Sequence, residues 1–223
     1  MIIIRLFQMK ISKILIWSLL FFSLSGCQSA YYGALEKVGI HKRDVLVSRV
    51  EKAKDTQEEA KEQFKSALEK FKSVTHFDGG DLETAYNNLN DEFEESQALA
   101  NDIRSHISDI EDVSDAMFEE WENELEQYTN QSLKRKSAQQ LSTTKRQYAK
   151  LIKTMKRAEK TMQPVLNIFK DQVLFLKHNL NARAIASLKG EIKTIETNVS
   201  RLIKQMNSSI DEANRFINSM NQN

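Results

Sequence analysis

The side chains able to do chemistry are few and scattered. The chain has one cysteine, Cys27, and four histidines, His41, His76, His106 and His178. His106 alone has a pair of carboxylates at helical spacing, Asp102 and Asp109, which would share one helix face and hold a metal ion weakly. In so acidic a segment that spacing arises by chance, so no metal ligand is assigned. None of the histidines forms the Glu-x-x-His pair of di-iron bundles. The sequence contains no phosphate-binding loop, Gly-rich dinucleotide fingerprint, His-Glu-x-x-His or Gly-x-Ser-x-Gly. Its many serines lack a paired base. The glutamates of MFEEWENELE (Met117 to Glu126) read as a wet face rather than an acid/base pair, and Phe118 and Trp121 among them read as core. The expectation is no catalytic residue, no cofactor and no enzyme activity.

The elements that would position such groups are helices. Only five glycines and one proline follow Cys27, and nothing alternates with period two over a useful length. Apolar residues instead recur in alternating steps of three and four. One series runs Leu46, Val50, Ala53, Gln57, Ala60, Phe64, Ala67, Phe71, Val74, and a second runs from Leu82 to Trp121 through Ser96, Ile103 and Ser114. A third runs from Leu141 to Phe169 through Thr144, Tyr148 and Met155, and a fourth from Leu188 to Met206, loosening at Ile210 and Ala213. Flanking apolar residues such as Leu68, Leu99, Val113 and Ile152 widen the stripe beyond a bare coiled-coil seam. Four polar residues interrupt the seams: Gln57, Ser96, Ser114 and Thr144. They either set register in the packed helices or converge on an interior site, which would make the chain a ligand- or metal-binding bundle or an enzyme.

Turn signals divide the helical pattern. HFDGGD (His76 to Asp81) offers two glycines and a capping Asp81. YTNQS offers Asn130 or Ser132 as caps, and HNLNAR holds Asn179 and Asn181. The expected helices span about 42–76, 81–128, 132–178 and 182–220, roughly 50–70 Å long at 1.5 Å per residue. Four such helices with short turns predict an all-α fold, a long antiparallel four-helix bundle of coiled-coil-like hairpins. Pro164 should kink the third helix rather than end it, since the apolar stripe continues through it. Residues 82–162 hold neither glycine nor proline, so helices two and three could instead form one rod that pairs with another chain. Gly190 is a lone helical glycine, tolerable if another helix approaches closely.

Charge is segregated along the chain. Residues 78–126 hold 17 acids and one base, Arg104, whereas residues 127–223 hold 18 bases and 6 acids. Folding the acidic segment against the basic one would relieve its self-repulsion and choose its partner. The block from Leu133 to Arg157, LKRKSAQQLSTTKRQYAKLIKTMKR, could by itself hold phosphates. It reads as a charge face toward the acidic segment or as a contact to anionic lipid or cell wall. Nucleic acid is not expected, because no recognition motif accompanies it.

The start of the chain differs in kind. Arg5, Lys10 and Lys13 precede ILIWSLLFFSL (Ile14 to Leu24), with nine apolar residues in eleven. That run is shorter than the roughly 20 residues a bilayer span needs, and it suits a signal peptide. Met9 would open a more ordinary version of it than Met1. Leu24-Ser25-Gly26-Cys27 resembles the lipobox of bacterial lipoproteins at all four positions. The resemblance implies removal of residues 1–26 and acylation of Cys27 as the new first residue. Two or three acyl chains anchor durably where one holds marginally, each buried methylene contributing about 0.8 kcal/mol. In Gram-negative lipoproteins an Asp after the cysteine favours the inner membrane. Gln28 stands there instead, which implies the periplasmic leaflet of the outer membrane. Tyr31 and Tyr32 would sit in the headgroup layer or pack on the end of the domain.

The stretches YYGALEKVGIHKRDVLVSRVEKAKD, FDGGDLETAYNNLNDEFE and VLFLKHNLNARAIASLKGE are similar to an uncharacterised family of proteobacterial lipoprotein-like proteins. The resemblance spans nearly the whole chain after Cys27 and implies one helical domain over residues 42–223, tethered by residues 27–41. It carries no catalytic residues. The expected protein is a lipid-anchored spacer or docking module of the cell envelope. It would meet the membrane through the acyl chains on Cys27, and another envelope protein, peptidoglycan or a second copy elsewhere.

Overall fold

The computed structural model describes Tyr32 and residues 39–75, 82–179 and 181–222. Cys27, Gln28, Tyr31, His76 and the HFDGGD turn lie outside them. Four helices form: α1 (Lys42–Thr75), α2 (Leu82–Leu125), α3 (Gln131–His178) and α4 (Ala182–Asn221). No strand occurs among the described residues, and the fold is all-α. The chain divides into compact units of residues 1–45 and 46–223, and the second carries the bundle.

The ends of the helices follow from local chemistry. Asn130, in extended conformation, accepts hydrogen bonds on Oδ1 from the Ser132 and Leu133 amides, at 2.9 and 3.1 Å, and so caps α3. At the other end the Asn179 amide donates to the Leu176 carbonyl. The Asn181 amide then donates to the Asn179 carbonyl, and the Asn181 carbonyl accepts from Ile185, opening α4. α3 runs unbroken through Pro164, whose ring is exposed. The missing N–H deprives the Lys160 carbonyl of its helical donor. Since the ring meets solvent and the Val165 and Leu166 side chains behind it stay buried, the helix does not end there.

Contacts between helices give their directions. Arg49, early in α1, donates to the Asp109 carbonyl, while Gln63 and Ser66, further on, donate to the Glu92 carboxylate earlier in α2. Going along α3, Lys145 meets Glu122, Lys156 meets Glu111, and Glu159 meets Arg104. Lys150 of α3 meets Glu212 of α4, and Lys72 near the end of α1 meets Glu196 in the first half of α4. Each chain neighbour is therefore antiparallel, giving an up-down-up-down bundle. The single-rod arrangement of α2 and α3 is excluded, because residues 126–130 reverse the chain. Across the bundle Phe64 and Phe169 stack with centroids 6.5 Å apart.

Seam residues fill the core. Leu46, Val50, Phe64, Phe71, Ile103, Ile110, Leu151, Met155, Val199, Leu202 and Met206 are all buried. Burying each such side chain contributes about 1.5–3 kcal/mol. The last turn of α4 meets α3 at Gln147, through Ser219. The α2–α3 hairpin thus runs on for roughly 20 Å past the end of α4. It closes on itself there. Phe118 meets Tyr148 edge to face at 5.4 Å level with the last turn of α4, and beyond it the Trp121 indole donates to Ser137 Oγ at 2.8 Å. Trp121 is half-buried rather than part of the sealed core, because its N–H must reach a polar partner.

Candidate functional site

The four polar seam residues are all buried, but they do not converge. Ser96 and Ser114 stand 18 residues apart on α2, roughly 27 Å along its axis. Ser96 Oγ donates to the Glu92 carbonyl one turn back, and Ser114 Oγ donates to the Glu111 carbonyl. Each hydroxyl is satisfied by its own helix. Burial pushes the Tyr148 phenol's pKa up, against the opposing pull of the nearby Ser114 hydroxyl. Gln57 differs: it is fully buried, and neither its amide nitrogen nor its oxygen has a partner among the described residues. Ser209 Oγ on α4 is likewise buried and unpartnered. Fifteen residues back along α1 from Lys72 and fifteen forward along antiparallel α4 from its partner Glu196 put Gln57 opposite Asp211, near the level of Ser209.

The other sequence candidates are dispersed. His106 is half-buried, and desolvation first, then the Lys52 charge, lowers its pKa against the opposing pull of Asp109 and Asp102. No three His, Cys, Asp or Glu side chains gather as metal ligands would among the described residues. Tyr32 is buried, with the Lys42 ammonium 6.0 Å from its ring centre. The lipid-attachment and sorting positions, Cys27 and Gln28, and the companion Tyr31 fall outside the described residues.

The acidic and basic segments meet as the charge pattern requires. Lys134, Lys145 and Lys156 of α3 pair with Glu126, Glu122 and Glu111 on the α2 side. One pair is crossed. Arg104, the only base of α2, reaches Glu159, one of two acids on α3, at 3.0 Å. These pairs are largely exposed and contribute about 0–1 kcal/mol each.

The other flank of the basic block forms a concave site that the sequence pattern did not single out. Thr143, Arg146, Gln147 and Lys150 of α3 face Glu212, Arg215 and Phe216 of α4 across a cleft of about 340 Å³. Phe216 is 1% exposed and backs it. Glu212 is the organising group, its side chain 8% exposed. Its Oε2 accepts from Lys150 at 3.0 Å and from Arg215 Nη1 at 2.8 Å, while both cations keep most of their surface in solvent. The Arg146 guanidinium is held by neutral groups, Ser142 Oγ at 3.1 Å and Thr143 Oγ1 at 3.0 Å. Glu212 and Arg215 stand three residues apart in the sequence, yet only the α3–α4 packing brings Lys150 and Arg146 beside them.

The fold and these sites define a class first: an antiparallel four-helix bundle with segregated charge and an open polar cleft. The chain belongs to the family described as protein of unknown function (DUF2959), which matches residues 31–220. No curated protein and no solved structure matches it.

Proposed function

We propose that this protein is a non-enzymatic, lipid-anchored docking module of the cell envelope, held to the outer membrane through acylated Cys27 and presenting its helical bundle to a partner. The observation that carries the docking half is the placement of polar chemistry. The serines of the seams are satisfied by their own helices, and the ionic groups other than the buried Glu212 lie on the outer faces, where a surface partner can meet them. The anchoring half rests on Leu24-Ser25-Gly26-Cys27 and on Gln28 after it. Labelling with radioactive palmitate tests the anchor. Wild-type chain should take up label and fractionate with outer membranes, and Cys27→Ala should do neither. Label persisting in Cys27→Ala would sink the reading. Crosslinking in intact envelopes, followed by pull-down, would name the partner.

A second reading is favoured by the unpartnered Gln57 amide alone: a small polar ligand bound inside the bundle. It predicts a metabolite or metal that raises the melting temperature of the wild-type chain and leaves Gln57→Leu unchanged.

A further inference from the structure

We propose that the α3–α4 cleft is a binding site for a phosphate monoester. The proposal rests on the cleft itself and is independent of the lipid anchor. Three cations line it, Arg146, Lys150 and Arg215, with one carboxylate, Glu212. Their sum is two positive charges, matching a phosphate monoester, which carries about −1.5 to −2 near neutral pH.

The arrangement of those charges is the stronger argument. Glu212 uses a single oxygen to hold both the Lys150 ammonium and the Arg215 guanidinium. The buried carboxylate therefore fixes two cationic heads at the rim without covering them. Arg146 makes no ion pair among the described residues, its fork being steadied only by Ser142 and Thr143. A guanidinium so placed keeps donors for a planar, bidentate contact to phosphate oxygens. Thr143 and Gln147 add neutral hydrogen-bonding groups for the rest of the ligand. The acids of α3, Glu159 and Asp171, stand further along the helix, outside the lining. A space of about 340 Å³ suits a headgroup or a sugar phosphate rather than a polymer. That chemistry has two sources, a soluble phosphate ester or the headgroup of a lipid such as phosphatidic acid.

The full chain in neutral detergent is titrated with inorganic phosphate and with glycerol phosphate. In parallel it is floated with phosphatidylcholine vesicles, plain or doped with phosphatidic acid. Two variants of equal charge loss are compared. One is Arg146→Gln with Lys150→Gln and Arg215→Gln. The other is Lys153→Gln with Arg157→Gln and Lys160→Gln, three exposed cations of α3 outside the cleft. Saturable binding should weaken about tenfold or more in the cleft variant and no more than about twofold in the control. Binding of the soluble ligands assigns a free ester, and binding confined to doped vesicles assigns a lipid headgroup. Arg146→Gln alone, at an exposed side chain, should lose severalfold and covers the case in which the triple variant fails to fold. Failure to bind any of these probes, or equal losses in cleft and control variants, overturns the proposal.

Discussion

Two residues carry the sharpest local expectations. Gln57 places an amide with no protein partner in the core, and such a group costs about 1–3 kcal/mol even after partial compensation. Gln57→Leu keeps the volume and removes that penalty, so urea denaturation should show the variant more stable by about 1–3 kcal/mol. A gain in stability accompanied by a new oligomeric state would mark Gln57 as a register device. His106 bears on pH. Burial and Lys52 hold its folded pKa below the ordinary value of 6.5, so the unfolded chain binds the proton more readily. Stability from this group is complete above the unfolded pKa and is lost as pH falls from there through the folded pKa. Melting temperatures measured from pH 7.5 down to 5 should decline, and His106→Gln should flatten the His-dependent part of that decline.

At the scale of the helix, Gly190 and Asn130 give opposite signs. A Cβ added at Gly190 meets nothing within 4 Å, so the close helix approach that would justify a glycine is missing. Gly190→Ala should stabilise the chain by about 0.5–1 kcal/mol, through helix propensity and a less flexible unfolded state. Asn130 satisfies two orphan amides at the start of α3. Asn130→Ala should cost about 1 kcal/mol, visible as a shift of the denaturation midpoint at constant slope. Of the features at this scale, the periodic stripes and the asparagine turns were legible in the sequence. The continuation of α3 past Pro164 was legible too, because the apolar stripe runs on through the proline, and Val165 and Leu166 beyond it find the buried face that keeps the helix going.

The whole molecule is organised by the meeting of its acidic and basic helices. The crossed pair, Arg104 with Glu159, tests whether those charges choose the partner face. Arg104→Glu and Glu159→Arg should each destabilise slightly, and the double swap should recover about 0.5 kcal/mol in a thermodynamic cycle. A coupling of zero would reduce the pair to a solvated contact. The α3–α4 cleft belongs to this scale too, since its members come from two helices and none of them is unusual in its own segment. The interior site, by contrast, dissolved at this scale. Its four members looked alike as seam positions, but distance along α2 alone separates two of them by roughly 27 Å.

By itself the sequence determined the helical class, the seams, the turn positions and the opposition of charge between neighbouring segments. These follow from period, caps and composition, which act over a few residues. Tertiary structure alone decided that α2 and α3 fold back rather than run on as one rod. It also left the Gln57 amide without a partner and set a buried Glu212 to hold two cations beside Arg146. Those outcomes depend on which faces meet across tens or hundreds of residues. That is settled by packing the stripes against one another, and no local propensity encodes it.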